Sequence, residues 1–226
     1  MMIGRSLSLA VGQLPDPAFR RVLVKSLLIS MVVFGLLAVG LWFGLLLLPE
    51  TEQTWLDWLV GFLSGLGFFV GMMLLFPAVM TAALGLFIDD IADAVEQKHY
   101  PQEARGQPLA FWPALWGSLR FLGIVLVVNI VLLPVYGILL FFPPLFYILS
   151  LAVNGYLVGR EYFEAVAWRY LPRPEADRLR QRRRGDVWLC GVLIVLLLTI
   201  PVVNFLVPIV ATAFMVHVYK RLRATG

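Results

Sequence analysis

Charge is what this chain has least of. Only 14% of its 226 residues are Asp, Glu, Lys or Arg, while 61% are hydrophobic. A soluble domain is nearer a quarter charged and half apolar. A chain of this length can bury a sizeable soluble core, but not this much apolar surface; mean hydropathy is +0.88. Cysteine is nearly absent. Cys190 is the one thiol, which excludes an intrachain disulfide framework. Histidine is scarce too: His99 and His217 show no metal-ligand spacing, so no metal site is expected. No Ser-His-Asp arrangement and no glycine-rich phosphate loop stand out. Neither a catalytic residue nor a cofactor is expected. A soluble second domain, a repeat at solenoid period and a low-complexity tract are also missing.

What is present is four blocks almost free of charge, at 26–49, 58–88, 121–159 and 187–219. Each exceeds the roughly 18 residues that mark a spanning helix. The first is about twice the length of a signal-peptide core and lacks a small-residue cleavage site, so no cleavable leader is expected. Net charge is +4 and the sequence pI about 9.5. In a soluble protein that suggests nucleic acid. Here the basic residues flank apolar blocks, and no nucleic-acid partner is expected.

The flanks set a topology. Arg5, Arg20, Arg21 and Lys25 precede the first block, whereas the connection 50–57 holds three acids and no Lys or Arg. Lys98, Arg105 and Arg120 lie between the second and third blocks, eight arginines between the third and fourth, and Lys220, Arg221 and Arg223 at the end. Cytoplasmic loops collect Lys and Arg, which puts both termini in the cytoplasm and 50–57 outside. The last two blocks then have basic segments at both ends and must enter and return. Pro134, Pro143 and Pro144 in one block, and Pro201 and Pro208 in the other, supply the turns. Legs of about 14 residues in the last block reach about 21 Å, short of a hydrocarbon core of about 30 Å. The earlier block has legs of roughly 17 to 20 residues, enough for a full or a partial crossing.

The expected fold is an all-α integral membrane protein in one domain, 1–226. An interfacial helix occupies 3–14, with Ile3, Leu7, Ala10, Val11 and Leu14 on one face. Two long transmembrane helices follow at 18–48 and 58–97. A first proline-turned hairpin spans 109–170, a basic cytoplasmic arm 172–184, and a second, partly penetrating hairpin 186–223. The pairs Gly40 and Gly44, Gly61 and Gly65, and Gly67 and Gly71 are small-residue spacings, read as packing within the chain.

Candidate sites follow from chemistry. Pro15 and Pro17 stop any helix before Ala18, which places Arg20 and Arg21 in the first turns of the first long helix. Free N–H groups and the positive dipole end favour an anion there, and arginine adds forked donors matched to oxyanions. Ordinary positive-inside flanking explains the same pair. Asn204 lies between Pro201 and Pro208 at the tip of the last hairpin. It lines a pore or caps the turn. Arg178, Arg180, Arg182, Arg183 and Arg184 form a basic cluster suited to anionic membrane lipid. Asp89, Asp90 and Asp93 form a DDxxD pattern of the kind that holds Mg²⁺ in membrane prenyltransferases. The missing second aspartate-rich motif and the apolar stripe opposite favour a solvated helix face instead.

Several of these segments resemble one family. Pro17-Ala-Phe-Arg20-Arg21 after a short amphipathic start is similar to the P-x-x-R-R opening of the first long helix in the CysZ-type sulfate permeases, of the etoposide-induced membrane protein domain superfamily. Ala92-Asp93-Ala-Val-Glu96 is similar to their acidic end of the second long helix. Thr199-Ile-Pro201-Val-Val-Asn204-Phe-Leu-Val-Pro208 resembles their I-P-x-x-N-x-x-x-P hairpin tip, and Gly159-Arg160-Glu161-Tyr162-Phe163-Glu164 the form common in bacterial members. The resemblance implies two long spanning helices and two partly penetrating hairpins. It also implies sulfate uptake across a bacterial inner membrane for cysteine synthesis, assembly into homo-oligomers, and sulfate binding by Arg20 and Arg21. Two departures bear on substrate more than on fold. Gly85-Leu86 replaces an Ala-Pro, and Tyr162-Phe163-Glu164-Ala165-Val166 replaces a Tyr-x-Asp-Tyr-Pro segment.

The expected function is therefore an anion permease, most simply for sulfate, channel-like or gradient-driven, and not an enzyme. A non-transporting membrane scaffold of the same fold is the alternative. A Mg²⁺-dependent prenyltransferase-like enzyme is a remote one.

Overall fold

The computed structural model describes residues 2–46, 58, 59, 61–67, 69 and 87–224. The acidic connection 50–57 and residues 70–86 of the expected second long helix lie outside them. Nine helices are bounded among the described residues: α1 Met2–Gly12, α2 Pro17–Leu46, α3 Ile88–His99, α4 Phe111–Leu139, α5 Pro143–Ala167, α6 Arg173–Arg182, α7 Arg184–Leu198, α8 Pro201–Asn204 and α9 Val207–Ala224. No strand occurs among the described residues. The chain forms two compact units, one of 1–19 with 88–226 and one of 20–87.

In the unit 20–87, α2 is the one described helix long and apolar enough to cross a membrane, over Pro17–Gly44. Its apolar side chains do not hide. Leu28, Val32, Leu36, Trp42 and Phe43 are each more than half exposed. Gly40, Gly44, Gly61, Gly65 and Gly67 have no atom within 4 Å of where a Cβ would stand. Among the described residues the close intrachain packing expected at these spacings is therefore not found at these five glycines, and Gly71 lies outside the described residues.

The larger unit is organised around α9, whose residues from Val207 to Lys220 are all buried. Helices α1, α3, α5 and α7 pack on it. α1 is tied to its end by Arg221 Nη1 donating to Met2 O at 3.0 Å. The face of α1 that is buried carries Ser6 and Ala10, whereas Val11 of the expected apolar face is 45% exposed. The tightest crossing joins α5 to α7. A Cβ on Gly191 would stand 1.9 Å from Gly155 O and 2.6 Å from Gly159 N, and one on Gly159 would stand 2.5 Å from Val187 O. Only glycine allows backbones this close.

α4 and α5 form the first hairpin, turning at Leu140–Phe142 with Pro143 and Pro144 opening α5. Proline is tolerated in a first turn because its missing N–H has no partner there anyway. Pro134 behaves otherwise than expected: it lies inside α4 and does not turn the chain. The legs have 29 and 25 residues, about 43 and 37 Å at 1.5 Å per residue. They exceed the leg lengths expected from the apolar block because the helices run on past it. α4 exposes apolar side chains around most of its circumference, including Ile130, Val131, Leu133, Ile138 and, at the tip, Phe141 at 83%. A helix apolar all round needs an apolar surrounding.

Candidate functional site

α2 opens on Pro17, at the position where proline presets the backbone and loses nothing. Its first turns carry Arg20 and Arg21, both exposed. Among the described residues neither side chain makes a hydrogen bond or ion pair. Two guanidinium groups without carboxylate partners thus stand beside the free N–H groups of a 30-residue helix, where charge and dipole both favour an anion. An open groove of about 420 Å³ lies at the same helix end, lined by Gln13, Asp16, Pro17, Ala18, Ala94, Gln97 and Lys98. Lys98 Nζ closes one side by an ion pair to Asp16 at 2.9 Å, and Gln13 Nε2 holds α3 through Ala94 O at 3.2 Å.

The second hairpin turns through Thr199 and Ile200, the four-residue α8, then Phe205 and Leu206. Pro201 opens α8, Asn204 ends it, and Pro208 falls in the first turn of α9. The Asn204 amide N–H donates to Ile200 O at 2.8 Å. Its half-buried carboxamide makes no hydrogen bond among the described residues. The side chain therefore does not cap the turn.

A third site was legible only in part in the sequence. Asp90 is exposed and Asp89 and Asp93 partly so, as a solvated face requires, but Glu96 is buried, and the face is not only solvated. Asp89, Asp93 and Glu96 surround the guanidinium of Arg169, which has no solvent exposure. Nη1 bonds Asp89 and Nη2 bonds Asp93, and Glu96 Oε1 lies 3.9 Å from Nη2. Glu96 also accepts from Tyr170 Oη and from Gly106 N, the latter at 3.1 Å. The flanking carboxylates hold Arg169 firmly charged, against the cost of its burial. Burial and Glu96 raise the Tyr170 phenol above its ordinary range. Lys220 completes the cluster from α9. It pairs with Glu103 at 3.2 Å and lies 4.6 Å from the Tyr170 ring centre. With Asp89 and Asp93 committed to Arg169, a Mg²⁺–diphosphate site there has lost two ligands. No cluster of three His, Cys, Asp or Glu with metal-binding arrangement occurs among the described residues. One signal was legible: Glu96 follows Ala92 by four residues, which places it beside the apolar stripe.

The fold also joins residues far apart in sequence. His99 and His217 meet edge to face with ring centres 4.9 Å apart, and Tyr100 Oη lies 2.9 Å from His217 Nδ1. Burial, then Lys98, lowers the His99 pKa below its ordinary value, against the pull of Asp16. The basic arm is likewise not uniform. Arg180 turns inward to Glu164 at 3.2 Å, a carboxylate shared with Arg160 at 2.7 Å. Arg178, Arg182 and Arg184 are exposed. The lipid-facing set expected from sequence thus loses Arg180, and Arg183 lies 4.0 Å from Asp186.

A search of curated proteins finds no match to the chain. A family model described as sulfate transporter CysZ/etoposide-induced protein 2.4 matches residues 6–208.

Proposed function

The chain belongs to the sulfate transporter CysZ/etoposide-induced protein 2.4 family, and from that premise we propose that it is an anion permease of a bacterial inner membrane. Its substrate is sulfate, taken up for cysteine synthesis. The observation that carries this reading is the exposed, unpaired Arg20–Arg21 pair in the opening turns of α2. A tetrahedral oxyanion accepts from two forked guanidinium groups and from the helix N–H groups together. A scaffold has no need of an anion site at a helix opening.

The tip of the second hairpin, residues 199–208, is uncharged. The free carboxamide of Asn204 offers donors and an acceptor at the tip of the second hairpin, between the turns made by Pro201 and Pro208. Non-helical backbone at membrane depth is stable only against protein or a watery cavity, which suits a conduit. Both termini lie in the cytoplasm, where Arg178, Arg182 and Arg184 contact anionic lipid. No nucleotide-binding motif is needed for flow down a gradient. The protein works as a homo-oligomer.

Radiolabelled sulfate uptake into proteoliposomes tests the proposal. Wild-type protein is expected to exceed empty liposomes, and Arg20→Ala/Arg21→Ala to lose most of the flux. Equal uptake by empty liposomes leaves only the scaffold reading.

A further inference from the structure

The turn before α2 ends on Asp16, immediately ahead of Pro17, which opens the helix. This is the N-cap position. Aspartate is favoured there because its carboxylate accepts from the free N–H groups of the first turn. In this chain it does not. Both oxygens are taken by Lys98 in the last turn of α3, whose Nζ donates to Oδ1 at 2.9 Å and to Oδ2 at 3.0 Å. Among the described residues the carboxylate makes no other hydrogen bond. Ala18 and Phe19, whose N–H groups a side chain at this position caps, thus receive no cap from Asp16. The turn itself does not depend on Lys98. Gln13 Nε2 donates to Ala94 O at 3.2 Å, and Asp16 N to Gln13 O at 3.0 Å.

A carboxylate released from Lys98 has two places to go, and both are at the expense of an anion. Capping α2 puts a negative charge where the positive helix end favours one. Arg20 follows four residues later, the spacing that brings an acid and a base together along a helix. In either place the carboxylate makes the same charge-assisted bonds that a substrate oxyanion would make. It is tethered to the site, so it competes at high effective concentration. We propose that Lys98 is a positioning residue of the anion site: by holding both oxygens of Asp16 it keeps that carboxylate from capping α2 and from pairing with Arg20. The inference rests on reading Arg20 and Arg21 as the anion site. Stability is a poor explanation for the same ion pair. Its side chains are 48% and 25% exposed, and pairs this exposed contribute little.

Binding of radiolabelled sulfate to the purified full-length protein in detergent tests this, with the thermal midpoint read on the same samples. Lys98→Met is expected to weaken binding by on the order of tenfold and to leave the midpoint nearly unchanged. Lys98→Arg, whose fork can still hold both oxygens, is expected to bind as wild type does. Asp16→Ala removes the competitor and is expected to restore binding in the Lys98→Met background. Asp90→Asn in that background restores the same net charge at an exposed position of α3, and is expected not to restore binding. Equal restoration by Asp16→Ala and Asp90→Asn would reduce Lys98 to a source of positive charge and overturn the proposal. A binding loss that Asp16→Ala does not repair overturns it as well. Absence of sulfate binding by wild type overturns the anion site, and this inference with it. Binding by wild type that Lys98→Met leaves unchanged overturns this inference alone.

Discussion

Arg169 Nη2 lies 3.9 Å from Glu96 Oε1, with the two side chains 0% and 1% exposed. This pair links α3, the loop after it and the end of α5. Gly106 N and Tyr170 Oη donate to the two oxygens of Glu96, and Gln107 N caps Arg169 O at 2.8 Å. A buried ion pair need not add net stability, since desolvation of both groups offsets their attraction. Once built, however, it cannot lose one member cheaply. The cluster therefore fixes geometry: it sets where α3 ends relative to the first hairpin and, through Lys220, relative to α9.

Arg169→Met leaves Glu96 buried and unpaired. The expected loss is about 3–5 kcal/mol of stability, read as a large fall in thermal midpoint in detergent or as failure to purify. Asp89→Asn and Asp93→Asn remove carboxylates that are 35% and 47% exposed. Each is expected to cost about 1 kcal/mol or less. Equal effects at all three positions would contradict a buried hub.

Gly191→Ala tests the helix crossing. The added methyl would stand 1.9 Å from Gly155 O, a contact only a shift of α5 or α7 can relieve. Overpacking of this kind costs about 1–3 kcal/mol, occasionally more. Gly185→Ala in the same helix meets nothing within 4 Å and is expected to be neutral or slightly stabilising. Thermal unfolding of the two variants side by side decides the matter.

Much of the frame was readable because lipid solvent imposes length and charge rules on a chain. Apolar blocks, flanking arginines and paired prolines announced helices and returns. Pro134 misled because a helix can continue through an interior proline at the cost of one backbone hydrogen bond. Gly155, Gly159 and Gly191 were passed over, and the glycine pairs of the first two apolar blocks taken instead, because spacing alone does not tell which small residues face a neighbour. The Arg169 cluster was hidden for a different reason. Asp89, Asp93 and Glu96 precede Arg169 by 73 to 80 residues, and no local pattern shows that an arginine at the end of one hairpin will meet acids spread along another helix. The places of Arg20, Arg21 and Asn204 on their helices were legible because prolines beside them mark where those helices open.

Glu161 gives a pH signature. Burial, then Glu164, lifts its carboxyl from 4.5 to about 7, while Arg160 pulls it down. Its folded pKa is thus above its unfolded one, so between about 4.5 and 7 the native protein holds a proton that the unfolded chain has released. The contribution of this group favours folding most below about pH 4.5 and is lost as pH rises to about 7. The half-buried position leaves part of the effect to solvent screening. Glu161→Gln is expected to raise the thermal midpoint at about pH 8 and to change it little near pH 4.5. A midpoint that falls at both would show the carboxylate to be stabilising.

The direction of the last hairpin can be settled by where its ends lie. α7 has 15 residues and α9 has 18, about 22 and 27 Å at 1.5 Å per residue. Each is short of a core of about 30 Å. α9 also ends in Lys220, Arg221 and Arg223, so the apolar part of that leg is shorter still. Two such legs joined by α8 are expected to return the chain to the face it left. Protease-accessible tags placed in α6 and after Gly226 are therefore expected on the same side of the membrane, the side opposite a tag between residues 50 and 57. Tags in α6 and after Gly226 found on opposite sides would require a leg to cross alone, which these lengths do not allow without thinning the bilayer.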